Sequence, residues 1–87
     1  LYFRSLIANN LNFFTENNSI KNIVCRIRKK SEEKKASIFF RNDDTAEVVF
    51  EEPIFAITPG QFAVFYDYDG FLLGSGEIIK YGEVKNE

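Results

Sequence analysis

The 87-residue chain has no histidine, no tryptophan and no methionine, and it has one cysteine and two prolines. Each absence excludes something. Without histidine the commonest general acid–base side chain is gone. One cysteine and no histidine cannot close a zinc shell. Cys25 has no second cysteine to pair with, so a disulfide within the chain is excluded. A lone thiol fits a reducing compartment. No apolar run approaches the ~20 residues of a membrane-spanning helix. No basic-then-apolar leader of the secretory kind precedes the first strand-like run. The expected location is the cytoplasm, with no membrane partner. Neither a Gly-x-x-x-x-Gly-Lys-Ser/Thr phosphate loop nor a Gly-x-Ser-x-Gly elbow occurs. The chain by itself is therefore expected to be non-catalytic, with no cofactor and no metal of its own.

What the chain does contain is core material. Hydrophobic residues make up 45%, with ten Phe and four Tyr, and the net charge is only −2. That balance argues against disorder. A single domain of this length buries only ~60% of its unfolded surface. Large rings bury much area per residue, so a few of them could fill a small barrel or sandwich.

Turn signals and alternation give the order of elements. "LNFFTE" (11–16) suggests a short strand after a lead-in segment, 1–10. Within that lead-in, "LYFRS" resembles the remnant of an engineered protease site, with Arg4 where Gln is usual, and carries no weight for the fold. "ENNS" (16–19) reads as a turn. In "IKNIVCRIRKK" (20–30), Ile23, Cys25 and Ile27 alternate with Val24, Arg26 and Arg28. "SEEKK" (31–35) is a polar connection. "ASIFFR" (36–41) puts Ala36, Ile38 and Phe40 on one face. "NDD" (42–44) is a turn, and "TAEVVF" (45–50) is a strand that Pro53 is expected to end. Thr58-Pro59-Gly60-Gln61 has Pro and Gly at the centre of a type II turn. "QFAVFYD" is a strand, Asp69-Gly70 suits a tight hairpin, and "FLLGSGEIIKY" returns. Gly74 and Gly76 share a face, which marks a bend, a bulge or a close backbone approach. With no convincing helix, the expected fold is all-β: a small antiparallel barrel of about six strands, or a sandwich, over 11–82, followed by a fraying tail at 83–87.

Charge is unevenly spread. Residues 26–41 carry seven basic and two acidic side chains, a net +5, against −7 for the rest. The basic stretch could lie against phosphates. Equally, Lys and Glu in "KKSEEKK" could simply keep a loop solvated. Cys25, on the apolar face of its run, is expected to be core rather than nucleophile. The pairs Asp43-Asp44 and Glu51-Glu52 suit turns and solubility. Tyr66 and Tyr68 could stack on bases, but core packing with the hydroxyl at the rim is the expected use.

"EEPIFAITPGQFAVFYD" followed by "LLGSGEI" closely resembles the carboxy-terminal end of the tRNA-specific 2-thiouridylases, the MnmA/TrmU family. Phe50, Pro53, Ala56, Thr58, Pro59, Gly60, Gln61, Val64, Phe65, Tyr66, Leu73, Gly74, Gly76 and Ile78 fit its pattern. "SLIANNLNFF" is similar to the family's approach to this domain. The chain departs in one extra hairpin residue ("DYDG") and in Ser75, where the family has glycine. The resemblance implies a carboxy-terminal β-barrel similar to the second domain of elongation factor Tu. It also implies a parent enzyme with an amino-terminal ATP-pyrophosphatase domain and a central domain. That enzyme uses ATP and Mg²⁺ to adenylate a wobble uridine in tRNA, and a persulfide donor supplies sulfur. The nucleotide loop and catalytic cysteines belong to those other domains. In the family an Arg-Tyr pair on the first long strand touches tRNA. The matching run is Arg26-Ile27-Arg28-Lys29-Lys30, with Arg28 in place of the Arg and Lys29 in place of the Tyr. Arg26, Arg28, Lys29 and Lys30 are thus the expected tRNA contacts. A docking barrel, or a translation-factor-like barrel without tRNA contact, are the alternatives.

Overall fold

The computed structural model describes residues 2–16, 20–27, 33–55 and 60–83. These form β1 (Tyr2–Phe13), β2 (Asn22–Arg26), β3 (Lys34–Phe40), β4 (Ala46–Phe55), β5 (Phe62–Tyr66) and β6 (Leu72–Glu83). There is no helix among the described residues. The strands close into a barrel in the order β1-β4-β3-β2-β5-β6. Every neighbouring pair is antiparallel. The expected small antiparallel barrel is the one observed. Closure removes the two free edge strands that an open sheet of six would have.

Alternation builds the interior. Ile23 and Cys25 from β2, Ala36 and Ile38 from β3, and Ala46, Val48 and Phe50 from β4 all point inward and are buried. Ala63 and Phe65 do the same from β5. Alanine and glycine alternate with larger residues because the inside of a small barrel tapers. Phe65 is fully buried. It stacks on Phe13 at 5.5 Å, and Phe13 meets Phe40 edge-on at 5.0 Å. Replacing Phe65 by alanine would cost about 3–5 kcal/mol. The expectation that phenylalanines fill the core holds only in part. Phe14, Phe39, Phe55, Phe62 and Phe71 are exposed, because they fall at outward or turn positions of the same alternation. No polar or charged residue is buried among the described residues.

Three local readings change. First, β1 begins at Tyr2 rather than at Leu11. Its pairing shifts register between Phe3 and Ser5, between Ile7 and Ala8, and between Asn9 and Asn12. These shifts bury three residues in a row, Leu6, Ile7 and Ala8, and hide the period of two. Tyr2 and Phe3 pair with Phe55 and Ile54 of β4. Second, Pro53 does not end β4. It sits where Arg4 alone of β1 spans Phe50 to Pro53, between the Ser5–Val49 and Phe3–Ile54 pairs. The β3–β4 ladder has already ended at Phe50, so the missing N–H of proline breaks no ladder bond. Third, Asp69-Gly70 is not a two-residue turn. Asp67 N–H donates to the Phe71 carbonyl at 2.9 Å and Gly70 N–H to the Asp67 carbonyl at 3.0 Å. Only Gly70 has positive φ, +90°. This is a three-residue loop with glycine in the left-handed place.

The remaining turn readings hold where described. Asp43 Oδ1 accepts from Thr45 Oγ1 at 2.6 Å, and Asp44 takes φ +63°. Gly60 has φ +95°, as the Pro-Gly pair requires; residues 56–59 of that segment lie outside the described residues. Gly74 and Gly76 mark a close approach. A Cβ at Gly74 would lie 2.5 Å from the Asn12 carbonyl oxygen and 2.7 Å from the Phe13 ring.

Candidate nucleic-acid interface

Arg26 is the last residue of β2. Arg26 points outward because Ile23 and Cys25 hold the inward places of its strand. It pairs across the sheet with Val64. Its Nη2 lies 3.3 Å from Glu33 Oε1, and its guanidinium carbon lies 6.0 Å from the centre of the Tyr66 ring. The ion pair is solvent-exposed and worth only about 0–1 kcal/mol, so it does not hold Arg26 from another partner. Arg28, Lys29 and Lys30 lie outside the described residues. Of the four expected tRNA contacts, Arg26 is the one the structure places.

The neighbourhood of Arg26 contains groups that the sequence reading placed elsewhere. Lys35 belongs to β3 rather than to a polar connection. Val24 pairs with Lys35 on one side and with Tyr66 on the other. Tyr66, Val24 and Lys35 therefore form one row across the outside of β5, β2 and β3. The Lys35 ammonium lies 5.4 Å from the centre of the Tyr68 ring. Tyr66 and Tyr68 do not pack in the core as expected. Ala63 and Phe65 hold the inward places of β5, which sends Tyr66 outward, and Tyr68 sits in the following turn. Extending the alternation of Ala36, Ile38 and Phe40 one step back would have put Lys35 on the outer face.

Acidic residues border this face. A groove of about 310 Å³ toward β4 is lined by Glu33, Lys34, Lys35, Glu51 and Glu52. No three His, Cys, Asp or Glu converge to hold a metal among the described residues. Burial pushes the Cys25 thiol up to about 12, so it stays protonated and inert. The Thr45 hydroxyl bonded to Asp43 holds that carboxyl below its ordinary value. Cations beside exposed rings can bind an anionic polymer that carries flat bases.

Comparison with known proteins fits this barrel. The family model described as "Aminomethyltransferase beta-barrel domain" matches residues 3–78. The chain is 50% identical over 86 residues to the tRNA-specific 2-thiouridylase MnmA of Petrotoga mobilis, covering 97% of this chain and 23% of that protein. It is 46% identical over 80 residues to the protein of the same name from Listeria innocua, covering 90% and 21%. With the one from Thermotoga petrophila the identity is 46% over 82 residues, covering 94% and 22%. The chain thus spans between a fifth and a quarter of the length of these relatives. Ser75, where the resemblance has glycine, pairs with Val64 on the outer surface and is accommodated there. By its sequence and its closed barrel, the chain belongs to the aminomethyltransferase beta-barrel domain family, in the branch carried by the tRNA-specific 2-thiouridylases.

Proposed function

We propose that this chain is the carboxy-terminal tRNA-contacting domain of a tRNA 2-thiouridylase and is not itself catalytic. The observation that carries the reading is its 50% identity to such a protein along 97% of the chain. Its role is to hold tRNA in register while another domain acts on the wobble uridine. Contacts to phosphates fix position without reading sequence. Arg26, Arg28, Lys29 and Lys30 provide them. ATP, Mg²⁺ and the persulfide donor belong to the amino-terminal and central domains of the parent enzyme, in the cytoplasm. No step through those groups is assigned to this chain.

The test uses the full-length parent with ATP, Mg²⁺, a persulfide donor and a tRNA transcript with uridine at the wobble position. The expected result is 2-thiouridine by mass spectrometry of the digested nucleosides, with none from the barrel alone. Arg28→Ala and Lys30→Ala should each weaken tRNA binding and lower its salt dependence by about one counterion. A parent that neither binds nor thiolates tRNA would end the reading. A second role is supported by the exposed edge-on pair Tyr2–Phe55, with centroids 5.3 Å apart: docking of the other domains of the parent on that end of the barrel.

A further inference from the structure

We propose that the β5–β6 turn and the neighbouring outer face of β3 and β2 form a stacking platform for one unpaired nucleotide of the bound RNA. Tyr68 presents the ring, and Lys35 takes the adjoining phosphate. This rests on the RNA-positioning reading above and adds residues outside the basic run 26–30.

Four observations carry it. Tyr68 is 56% exposed, and the next large side chains along its hairpin, Phe71 and Leu72, are 69% and 50% exposed. A tight turn that shows three large apolar groups to solvent is built for contact. The Lys35 ammonium stands 5.4 Å from the Tyr68 ring centre, and Arg26 stands 6.0 Å from that of Tyr66. Paired cations and rings are the chemistry that holds single-stranded nucleic acid: the ring stacks on a base, and the cation meets its phosphate. The turn itself is rigid. Asp67 Oδ1 accepts from the N–H groups of Asp69 and Phe71, each at 2.9 Å. That carboxylate is thereby tied into the backbone on either side of the loop that carries Tyr68. Finally, Glu51 and Glu52 on the β4 side of Lys35 repel phosphates there. The RNA backbone therefore runs along β2, from Lys35 toward Arg26.

The cations and rings favour RNA over a purely apolar protein partner, which would have no use for Lys35. A duplex backbone alone would have no use for Tyr68.

The experiment measures binding of the full-length parent to the wobble-uridine tRNA transcript by filter retention, over a range of salt. Tyr68→Ala is expected to weaken binding about tenfold with an unchanged salt slope, and Tyr68→Phe to stay within about twofold of wild type, because stacking needs the ring and not the hydroxyl. Lys35→Ala should weaken binding and reduce the salt slope by about one. The double change Glu51→Gln, Glu52→Gln should tighten binding. All four positions are exposed, so melting temperatures should be unchanged. If Tyr68→Ala and Lys35→Ala bind as wild type while Arg28→Ala does not, the platform is wrong and the positioning domain stands. If Tyr68→Ala leaves RNA affinity intact and lowers the melting temperature of the parent, the hairpin docks protein, and the platform is again wrong. A wild-type parent without tRNA affinity defeats the functional reading itself.

Discussion

The β1–β6 seam and the β2–β5 seam of this barrel use side chains in opposite ways. Where β6 passes β1, Gly74 and Gly76 leave no side chain at all, and the backbones nearly touch. Where β5 passes β2, the paired outward places all carry side chains, Tyr66 against Val24 and Val64 against Arg26. One seam is closed by removing atoms, and the other is left available by adding them. The contrast assigns stability to the first and recognition to the second. Substitutions on the two seams should therefore fail different assays.

The largest effect should come from closing the gap at Gly74. The Cβ in Gly74→Ala meets the Asn12 carbonyl and the Phe13 ring, and neither can swing aside freely. Phe13 is itself stacked on the buried Phe65. Overpacking of this kind costs about 1–3 kcal/mol, and Gly74→Ala belongs at the upper end. For a domain of this size that lowers the melting temperature by roughly 8–20 °C. Gly76→Ala first meets Leu11 Cδ2 at 2.8 Å, the far end of a side chain that can shift, and should cost about half as much. Thermal unfolding of the two variants checks the order. Equal losses would mean that the closeness of β1 is not what requires glycine.

The same two seams explain what could be read from the sequence. The β2, β3 and β4 cores alternate cleanly, so Ile23, Cys25, Ile38 and Val48 were legible as interior from the sequence. The glycine pair was legible as a bend, a bulge or a close approach, and β1, the strand that decides for the last, was not. Three register shifts in β1 break the alternation that would have revealed residues 2–10. On the β2–β5 side Arg26 was legible because it lies within a basic run. Lys35 was hidden in a charge-rich stretch that reads as a loop. Tyr66 and Tyr68 looked like core material because an aromatic residue carries no sign of which way its strand faces. The extent of β4 through Pro53 depended on β3 ending early, which is a property of the partner strand.

The interior behind the open face gives a pH test. Cys25 lies on β2 with its thiol buried, and burial raises its pKa from 9.0 to about 12. Above pH 9 the unfolded thiol loses its proton while the folded one keeps it. The unfolded state then binds fewer protons, so stability falls with rising pH from about 9 until about 12. Below pH 9 this contribution is fully present. Cys25→Ala should show a shallower fall in denaturant midpoint over that window than wild type, whatever its starting stability. The same slope in both proteins would mean that the thiol is reached by water from the β2–β5 side. Alkylation of Cys25 should likewise follow global unfolding rather than local opening.

The smallest effects belong to the two hairpins at the other end of the barrel. They share one frame. Arg41 N–H donates to the Thr45 carbonyl at 2.9 Å, as Asp67 N–H does to that of Phe71. Both put one residue at positive φ just before the returning strand: Asp44 at +63° and Gly70 at +90°. At Gly70 a Cβ meets nothing within 4 Å, so Gly70→Ala tests backbone strain alone. A cost of about 1 kcal/mol is expected. Asp44→Gly runs the exchange in reverse. It relieves the left-handed strain, but it adds freedom to the unfolded chain, and aspartate tolerates this region better than most residues. The two terms nearly cancel, leaving a gain below about 0.5 kcal/mol. The Asp43–Thr45 bonds, which do not involve the Asp44 side chain, should survive. If Asp44→Gly were stabilising by as much as Gly70→Ala is destabilising, the strain at Asp44 would be unrelieved by its own chemistry. The polar hairpin would then be under the same backbone demand as the one that presents Tyr68. Near-neutrality instead means that the polar turn has no such demand, and that glycine at position 70 serves to hold the aromatic hairpin in place.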